Sequence, residues 1–240
     1  MTNINASSLS YQELNEAIRQ GGSECVIDGC IGQRFIAAGM GAGRLVINGI
    51  PGNALGAYLN GADILVSGNA QDAVGDTMND GKIVVCGNIG DAAGYAMRGG
   101  AIYVKGNAGY RAGVHMKDYQ EKEPVMVIGG RAGSFLGEYQ AGGKIIVLGL
   151  EIGSARIVGN FPCTGMHGGK LYLRGESKNI VFPSQVRSAV ATEADMREID
   201  AYITEYCRLF GYEKSAVLNQ PFTVITPDSK NPYHMMYVAT

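Results

Sequence analysis

The residues of this chain that could do chemistry are few and scattered. Its three histidines, His115, His167 and His234, lie in unrelated segments, whereas a metal centre needs three or four converging ligands. His115 and His167 each stand beside a methionine near a glycine-rich corner and read as turn residues. Cys163 precedes His167 by four places, a thiol and an imidazole. On a loop, without a third group to orient the base, that spacing is a weak signal for a nucleophile. Glu138 follows a glycine and reads as an exposed corner carboxylate. Asp72, Asp76, Asp80 and Asp91 are spread over corners, with no basic partners suited to polysaccharide cleavage. The Gly-Lys pairs at 81–82, 143–144 and 169–170 lack the earlier glycine and the following Ser or Thr of a phosphate loop, and each merely starts a strand. Gly39-Met40-Gly41-Ala42-Gly43 is not the dinucleotide pattern either, because it leads into a strand and not a helix; a close backbone crossing explains it better. The residues assign no catalytic, cofactor-binding or metal-binding site.

What must position these residues is a repeat. Leu45-Val46-Ile47-Asn48-Gly49 is followed by Ile64-Leu65-Val66-Ser67-Gly68-Asn69, Ile83-Val84-Val85-Cys86-Gly87-Asn88 and Ile102-Tyr103-Val104-Lys105-Gly106-Asn107, with a step of 19 residues from Gly49 to Gly68, Gly87 and Gly106. A second glycine follows seven places later in each copy, and Leu59, Met78, Met97 and Met116 three places after that. A period near 20 is the signature of a solenoid. Glycine-asparagine punctuation leaves no room for two helices per repeat. Each copy therefore reads as a short alternating strand, a Gly-Asn turn in the left-handed region, and a second glycine corner. The expected fold is all-β, a single-stranded parallel β-helix of about 19–20 residues per rung with short N- and C-terminal helices. One inner column is expected to be Leu45, Ile64, Ile83, Ile102, Val125, Ile145 and Leu171, and its neighbour Ile47, Val66, Val85, Val104, Val127, Val147 and Leu173. Asn69, Asn88 and Asn107 should form a side-chain ladder.

Along the chain, residues 1–25 read as an N-terminal helical cap, 26–182 as the β-helix and 183–240 as a C-terminal helix with an extended tail. Ser10 and Glu13 make a capping box for a helix ending at Gly21-Gly22, suited to cover the open end of the coil. Two insertions interrupt the period, Lys117–Pro124 and Glu151–Cys163. Inserted loops on a solenoid often carry contacts, so these two, with the tail, are the expected partner surface, and removing 117–124 should spare the fold. Thr192 and Asp195 cap a second helix whose stripe of Met196, Ile199, Ile203, Tyr206 and Phe210 needs a surface to pack on. Beyond Gly211 the chain reads as a strap, with prolines at 221, 227 and 232.

Composition narrows the classes. A net charge of -2 with 18% charged residues gives no electrostatic case for nucleic acid or an anionic membrane. Thirty-six glycines in periodic array exclude both disorder and collagen. Five cysteines, with no Cys-x-x-Cys pair, point to a reducing, cytoplasmic compartment. The start, Met-Thr-Asn-Ile-Asn, has no apolar core, so no signal peptide is expected, and no apolar run is long enough to span a bilayer.

Two blocks carry a resemblance. Gly106-Asn107-Ala108-Gly109-Tyr110-Arg111-Ala112-Gly113-Val114-His115-Met116-Lys117 and Gly137-Glu138-Tyr139 through Gly149 resemble the GXGXG domain of glutamate synthase large subunits, and Gly165-Met166-His167-Gly168-Gly169-Lys170-Leu171-Tyr172 resembles the end of that domain. The likeness covers most of residues 26–175 and is greatest to the free-standing version of archaea and some bacteria. It implies a right-handed β-helix without catalytic residues, in an oxidoreductase assembly that makes glutamate and serves nitrogen assimilation. This chain would bind no cofactor and would brace two partners: a class II glutamine amidotransferase, and a synthase carrying FMN and iron–sulfur clusters. The glycine-rich β-helix component of formylmethanofuran dehydrogenase is related and is the alternative; the Glu138-Tyr139 to Gly149 block leans toward glutamate synthase. A third possibility is an independent ligand-binding homo-oligomer. Hexapeptide acyltransferases fit poorly, because a period of 19 does not divide by six.

Overall fold

The computed structural model describes residues 1–228 of the chain. Its strands and helices are, in order, β1 (Thr2–Asn5), α1 (Tyr11–Gln20), β2 (Glu24–Ile31), β3 (Arg44–Ile50), β4 (Asn60–Val66), β5 (Asp80–Val85), β6 (Ala101–Val104), β7 (Val125–Ile128), β8 (Ala141–Val147), β9 (Gly168–Arg174), β10 (Val186–Val190), α2 (Glu193–Phe210), α3 (Lys214–Val217) and β11 (Phe222–Pro227). One sheet runs β1 to β9 in sequence order, then β11 and β10. Every pairing from β1 to β9 is parallel, one strand per turn of a β-helix, and β11 and β10 extend the wall antiparallel.

Most of the two inner columns form as the period implies. Leu45 pairs with Ile64, Ile64 with Ile83 and Ile83 with Ile102, while Ile47, Val66, Val85 and Val104 follow beside them. At β7 the sequence reading is off by one. Ile102 pairs with Met126 and Val104 with Ile128, and these go on to Ile145 and Val147. Val125 and Val127 instead face outward, in a second core with Ile199, Ile203 and Tyr206 of α2. Val-Met-Val-Ile is apolar on both faces, so alternation cannot fix its register, and a one-residue slip exchanges the faces.

The corner at the second glycine is built on alternate left-handed residues. In one turn Ala92, Gly94 and Ala96 have φ of 55°, 67° and 49°; in the next Arg111, Gly113 and His115 have 56°, 70° and 56°. Left-handed backbone is unfavourable for residues with a β-carbon, and the stacked turns compensate by satisfying every second amide. The Ala92 N–H donates to Tyr110 O on the next turn at 2.7 Å, and the Gly94 N–H to Val74 O on the previous turn at 2.7 Å.

The Gly-Asn turns differ from expectation. Gly68, Gly87 and Gly106 and their asparagines are not among the left-handed residues. The ladder itself forms: Asn69 Oδ1 accepts from the Asn88 N–H at 2.8 Å, and Asn88 Oδ1 from the Asn107 N–H at 2.8 Å. Glycine is needed at 87 and 106 because a β-carbon there would collide with the asparagine side chain of the turn before.

One end and the outer face are covered by the chain's own helices. Ser10 and Glu13 form the capping box of α1, whose Leu14 and Ile18 are buried against the first turn and close that end of the core. Thr192 and Asp195 cap α2, and Gly211 ends it in the left-handed conformation. This helix lies along the outside of the wall over Val84, Tyr103, Val127, Ile146 and Tyr172. The strap becomes α3 and β11. His234 and residues 229–240 lie outside the described residues.

Candidate functional site

The sequence-selected residues do not converge. Cys163 occupies the place of the second glycine in its turn, with φ of 61°, fully buried in the inner core. Burial pushes its thiol up to about 12, so it is no nucleophile at neutral pH. His167 turns Nδ1 to its own Gly165 O at 3.0 Å, a local turn contact. Asp72 and Asp91 work as the asparagines do: Asp72 Oδ1 accepts from the Asp91 N–H at 2.9 Å and Asp91 Oδ1 from the Tyr110 N–H at 2.8 Å. Asp76 accepts from the Thr77 hydroxyl at 2.8 Å. Gly43, closing the 39–43 motif, has φ of 111°, and a β-carbon on it would strike Ser23 O, a backbone crossing. Among the described residues no three His, Cys, Asp or Glu side chains gather as a metal site.

The lysines of the Gly-Lys pairs do more than start strands. Lys82 Nζ meets Glu205 of α2 at 3.1 Å, and Lys170 Nζ meets Asp195 at 3.2 Å and Glu198 at 2.7 Å. Lys144, nearly buried, pairs with Glu123 of the first insertion. Glu205 is held down to about 2, by Arg208 first and Lys82 next. Tyr172 donates to Glu198 at 3.2 Å, and its hydroxyl is pushed up chiefly by burial. A single signal, acids on α2 at 195, 198 and 205, was available in the sequence for this clamp.

The first insertion is therefore not a detachable loop. Asp118 Oδ1 accepts from the Gly143 N–H at 2.7 Å, Lys122 bonds Asp80 at 2.8 Å, and Glu123 neutralises Lys144. Removing 117–124 would leave Lys144 buried without its counter-ion, which corrects the expectation that the fold tolerates the deletion. Gln140 stands in the methionine column between Met116 and Met166, fully buried, donating to Gly142 O and Gly143 O at 3.0 and 3.1 Å.

The surface that is left over is the left-handed corner. His115 stacks on Tyr139 with centroids 5.2 Å apart and planes at 8°, and Tyr95 meets His115 edge-on at 5.8 Å. Beside them Arg111 pairs with Glu138 at 3.1 Å and lies 4.8 Å above Phe135, which stacks on Phe161 at 5.3 Å. Phe161 is 62% exposed and Tyr95 40%. Successive turns place these side chains in rows on a rigid wall. Sequence reading had Glu138 and His115 as isolated corner residues; their stacking follows only from the shared register of the turns. A crevice of about 590 Å³ lies between α1 and the first corner, lined by Tyr11, Asn15, Arg19, Phe35 and Met40. Its Asn15 is already committed to Tyr11 O and the Ala37 N–H.

Fold and surface together define a glycine-cornered β-helix. The chain belongs to the family described as GXGXG motif, which matches residues 10–228 and so takes in α1, α2 and β11 as well as the coil. It is 44% identical over 248 residues to "Uncharacterized protein MJ1350" of Methanocaldococcus jannaschii, covering 98% of this chain and 95% of that one. Among solved structures it is similar to a chain of the formyltransferase/hydrolase complex (FhcABCD) from Methylorubrum extorquens in complex with methylofuran. The TM-score is 0.63 at 19% identity, over 92% of this chain and 89% of that chain. At that identity the likeness is one of fold. Among the described residues no helix is long and apolar enough to cross a membrane.

Proposed function

We propose that this chain is a non-catalytic bracing subunit of a glutamate synthase-type assembly. In this reading one partner, a class II glutamine amidotransferase, releases ammonia, and another, carrying FMN and iron–sulfur clusters, performs the reduction. The chain sets their relative position. The observation that carries the reading is the division of its side chains. Cys163 is sealed in the core, the wall lysines are spent on α2 and the first insertion, and Asp72 and Asp91 are spent on the ladder. Tyr95, Arg111 and Phe161 are exposed, with Phe135, Glu138 and Tyr139 partly buried beside them, and aromatic and arginine side chains are the usual anchors of protein interfaces.

The second reading, the β-helix component of a formylmethanofuran dehydrogenase, is favoured by the FhcABCD likeness, which spans nearly the whole of both chains. Gentle affinity purification of the tagged chain from its own cells, with mass spectrometry of what co-elutes, separates them. An amidotransferase with a flavin-containing synthase supports the first reading. A molybdenum or tungsten dehydrogenase moves the chain to the second, and elution with no other protein sinks both. Phe161→Ala, at a side chain that is 62% exposed, should lower partner recovery with little change in the thermal midpoint.

A further inference from the structure

We propose that β10 is a dimerisation edge, through which two copies of this chain join end to end by antiparallel pairing of Val186–Val190 about a twofold axis at Ser188. The sheet ends on β10, which among the described residues has a neighbour on one side only, β11, and whose last four residues are exposed. Its hydrogen bonds to β11 fix which groups face outward. The Asp228 N–H donates to Gln185 O at 2.7 Å and the Ala191 N–H to Phe222 O at 2.8 Å. Bonded positions alternate along an antiparallel pair, so Arg187 and Ala189 turn their amides to β11. Ser188 and Val190 turn theirs away from it. The Val186 N–H, also outward, is already engaged with Pro183 O at 3.2 Å.

A twofold axis at Ser188 matches this pattern. It sets Ser188 opposite the second copy's Ser188, Val186 opposite Val190, and Arg187 opposite Ala189. The bonded pairs of the new ladder are then the outward residues: each copy donates from Ser188 and Val190 and accepts on Ser188 and Val186. The Val186 N–H is not required. Val-Arg-Ser-Ala-Val sets valine opposite valine and serine opposite serine, a self-complementary arrangement suited to an isologous contact, and no like charges meet across it. Val190, 73% exposed, would be covered by the other copy's Val186, an aliphatic cross-strand pair. The strand also lacks the usual guards of an edge, since it contains no proline, lysine or register shift. Only Arg187 is charged, and it pairs with Asp228.

This inference does not rest on the partners proposed above, and is tested on the full-length chain alone. Sedimentation equilibrium should show the mass rising with concentration from 25.3 kDa to twice that value. Ser188→Pro removes an outward N–H that takes no part in the β10–β11 ladder, and Ser188→Lys sets two charges together on the axis. Both should hold the chain at the monomer mass, with the thermal midpoint of the wild type at dilutions where it is monomeric. Paired Cα atoms at such a position lie about 5.5 Å apart, within disulfide range. Ser188→Cys in a Cys86→Ser background should therefore give a disulfide-linked dimer under mild oxidant, and Ala189→Cys should not. A chain that stays monomeric without cross-linking overturns the inference. So does a dimer indifferent to Ser188→Pro, or a mass that climbs past two copies, which would mean β10 meeting β1 head to tail.

Discussion

Gly129 and Tyr206 are 77 positions apart in the sequence, yet the tyrosine hydroxyl lies where a β-carbon on Gly129 would be. That hydroxyl donates to Lys105 O at 3.2 Å, so α2 is keyed into the wall at a point where the wall has no side chain. Gly129→Ala should therefore eject the ring of Tyr206, which also packs on Phe210 and Tyr212. The new methyl group would strike Lys105 O as well, so moving the tyrosine alone does not relieve it. The expected loss is about 3 kcal/mol, the upper range for overpacking. Tyr206→Phe loses one hydrogen bond, about 1 kcal/mol. Urea denaturation of the two variants checks the order, and an alanine at 129 with wild-type stability would mean that α2 does not sit here.

The relation between these two residues also marks where sequence reading stops. The 19-residue step exposed the coil because each turn repeats its glycines, and Ser10, Thr192 and Gly211 announced the helix ends through local chemistry. The register of β7 was hidden because both faces of Val125–Ile128 are buried, one by the coil and one by α2. The docking site of α2 was hidden too, since an apolar stripe specifies a surface but not which one. At the corner, His115, Tyr139, Arg111 and Glu138 were visible as residue types. Their contacts depend on left-handed backbone at non-glycine positions, which residue preference argues against. The strands β1 and β10 were missed for want of a repeat around them.

Val84 and Val85 separate the two cores. Val85 faces the interior of the coil and Val84 faces α2. An aspartate at either place buries an unpaired charge, but the consequences differ. Val85→Asp should prevent folding, because its column is continuous from turn to turn. Val84→Asp should release α2 and leave the coil standing. Far-ultraviolet circular dichroism with limited proteolysis distinguishes them: early cleavage between 191 and 211 in a chain that keeps its β signal is expected for Val84→Asp alone. A soluble, folded Val85→Asp would put the register off by one.

Acid should loosen the α2 clamp through Glu205. Its carboxyl is held down from 4.5 to about 2 in the folded chain. A group with a depressed folded pKa contributes stability above its unfolded value, and that contribution is lost as pH falls through the folded value. The window is thus from 4.5 down to about 2. Asp195 is also lowered, by Thr192 first and Lys170 last, and adds to the same slope. Glu205→Gln should cost about 1 kcal/mol or less at neutral pH, since water screens the pair. It should also flatten the fall of the urea midpoint across that window. An identical pH profile for wild type and variant would show that neither Arg208 nor Lys82 holds this carboxyl down.

The cysteines give a direct reading of how tightly the coil is closed. Cys86 is exposed, whereas Cys25, Cys30, Cys163 and Cys207 are buried. Burial pushes Cys30 up to about 11 and Cys163 up to about 12, and alkylation needs the thiolate. Iodoacetamide at neutral to mildly basic pH should therefore modify the native chain once, at Cys86, slowly because that thiol is itself raised by partial burial. All five cysteines should react in urea. The informative site is Cys163, where a left-handed cysteine replaces the glycine that earlier turns use. If the turn from Phe161 to Met166 opened readily, Cys163 would be labelled at the rate of that opening while Cys30 stayed protected. Equal protection of the two, measured by mass spectrometry over time, is the expected outcome. It would place the last turn of the coil in the same cooperative unit as the first.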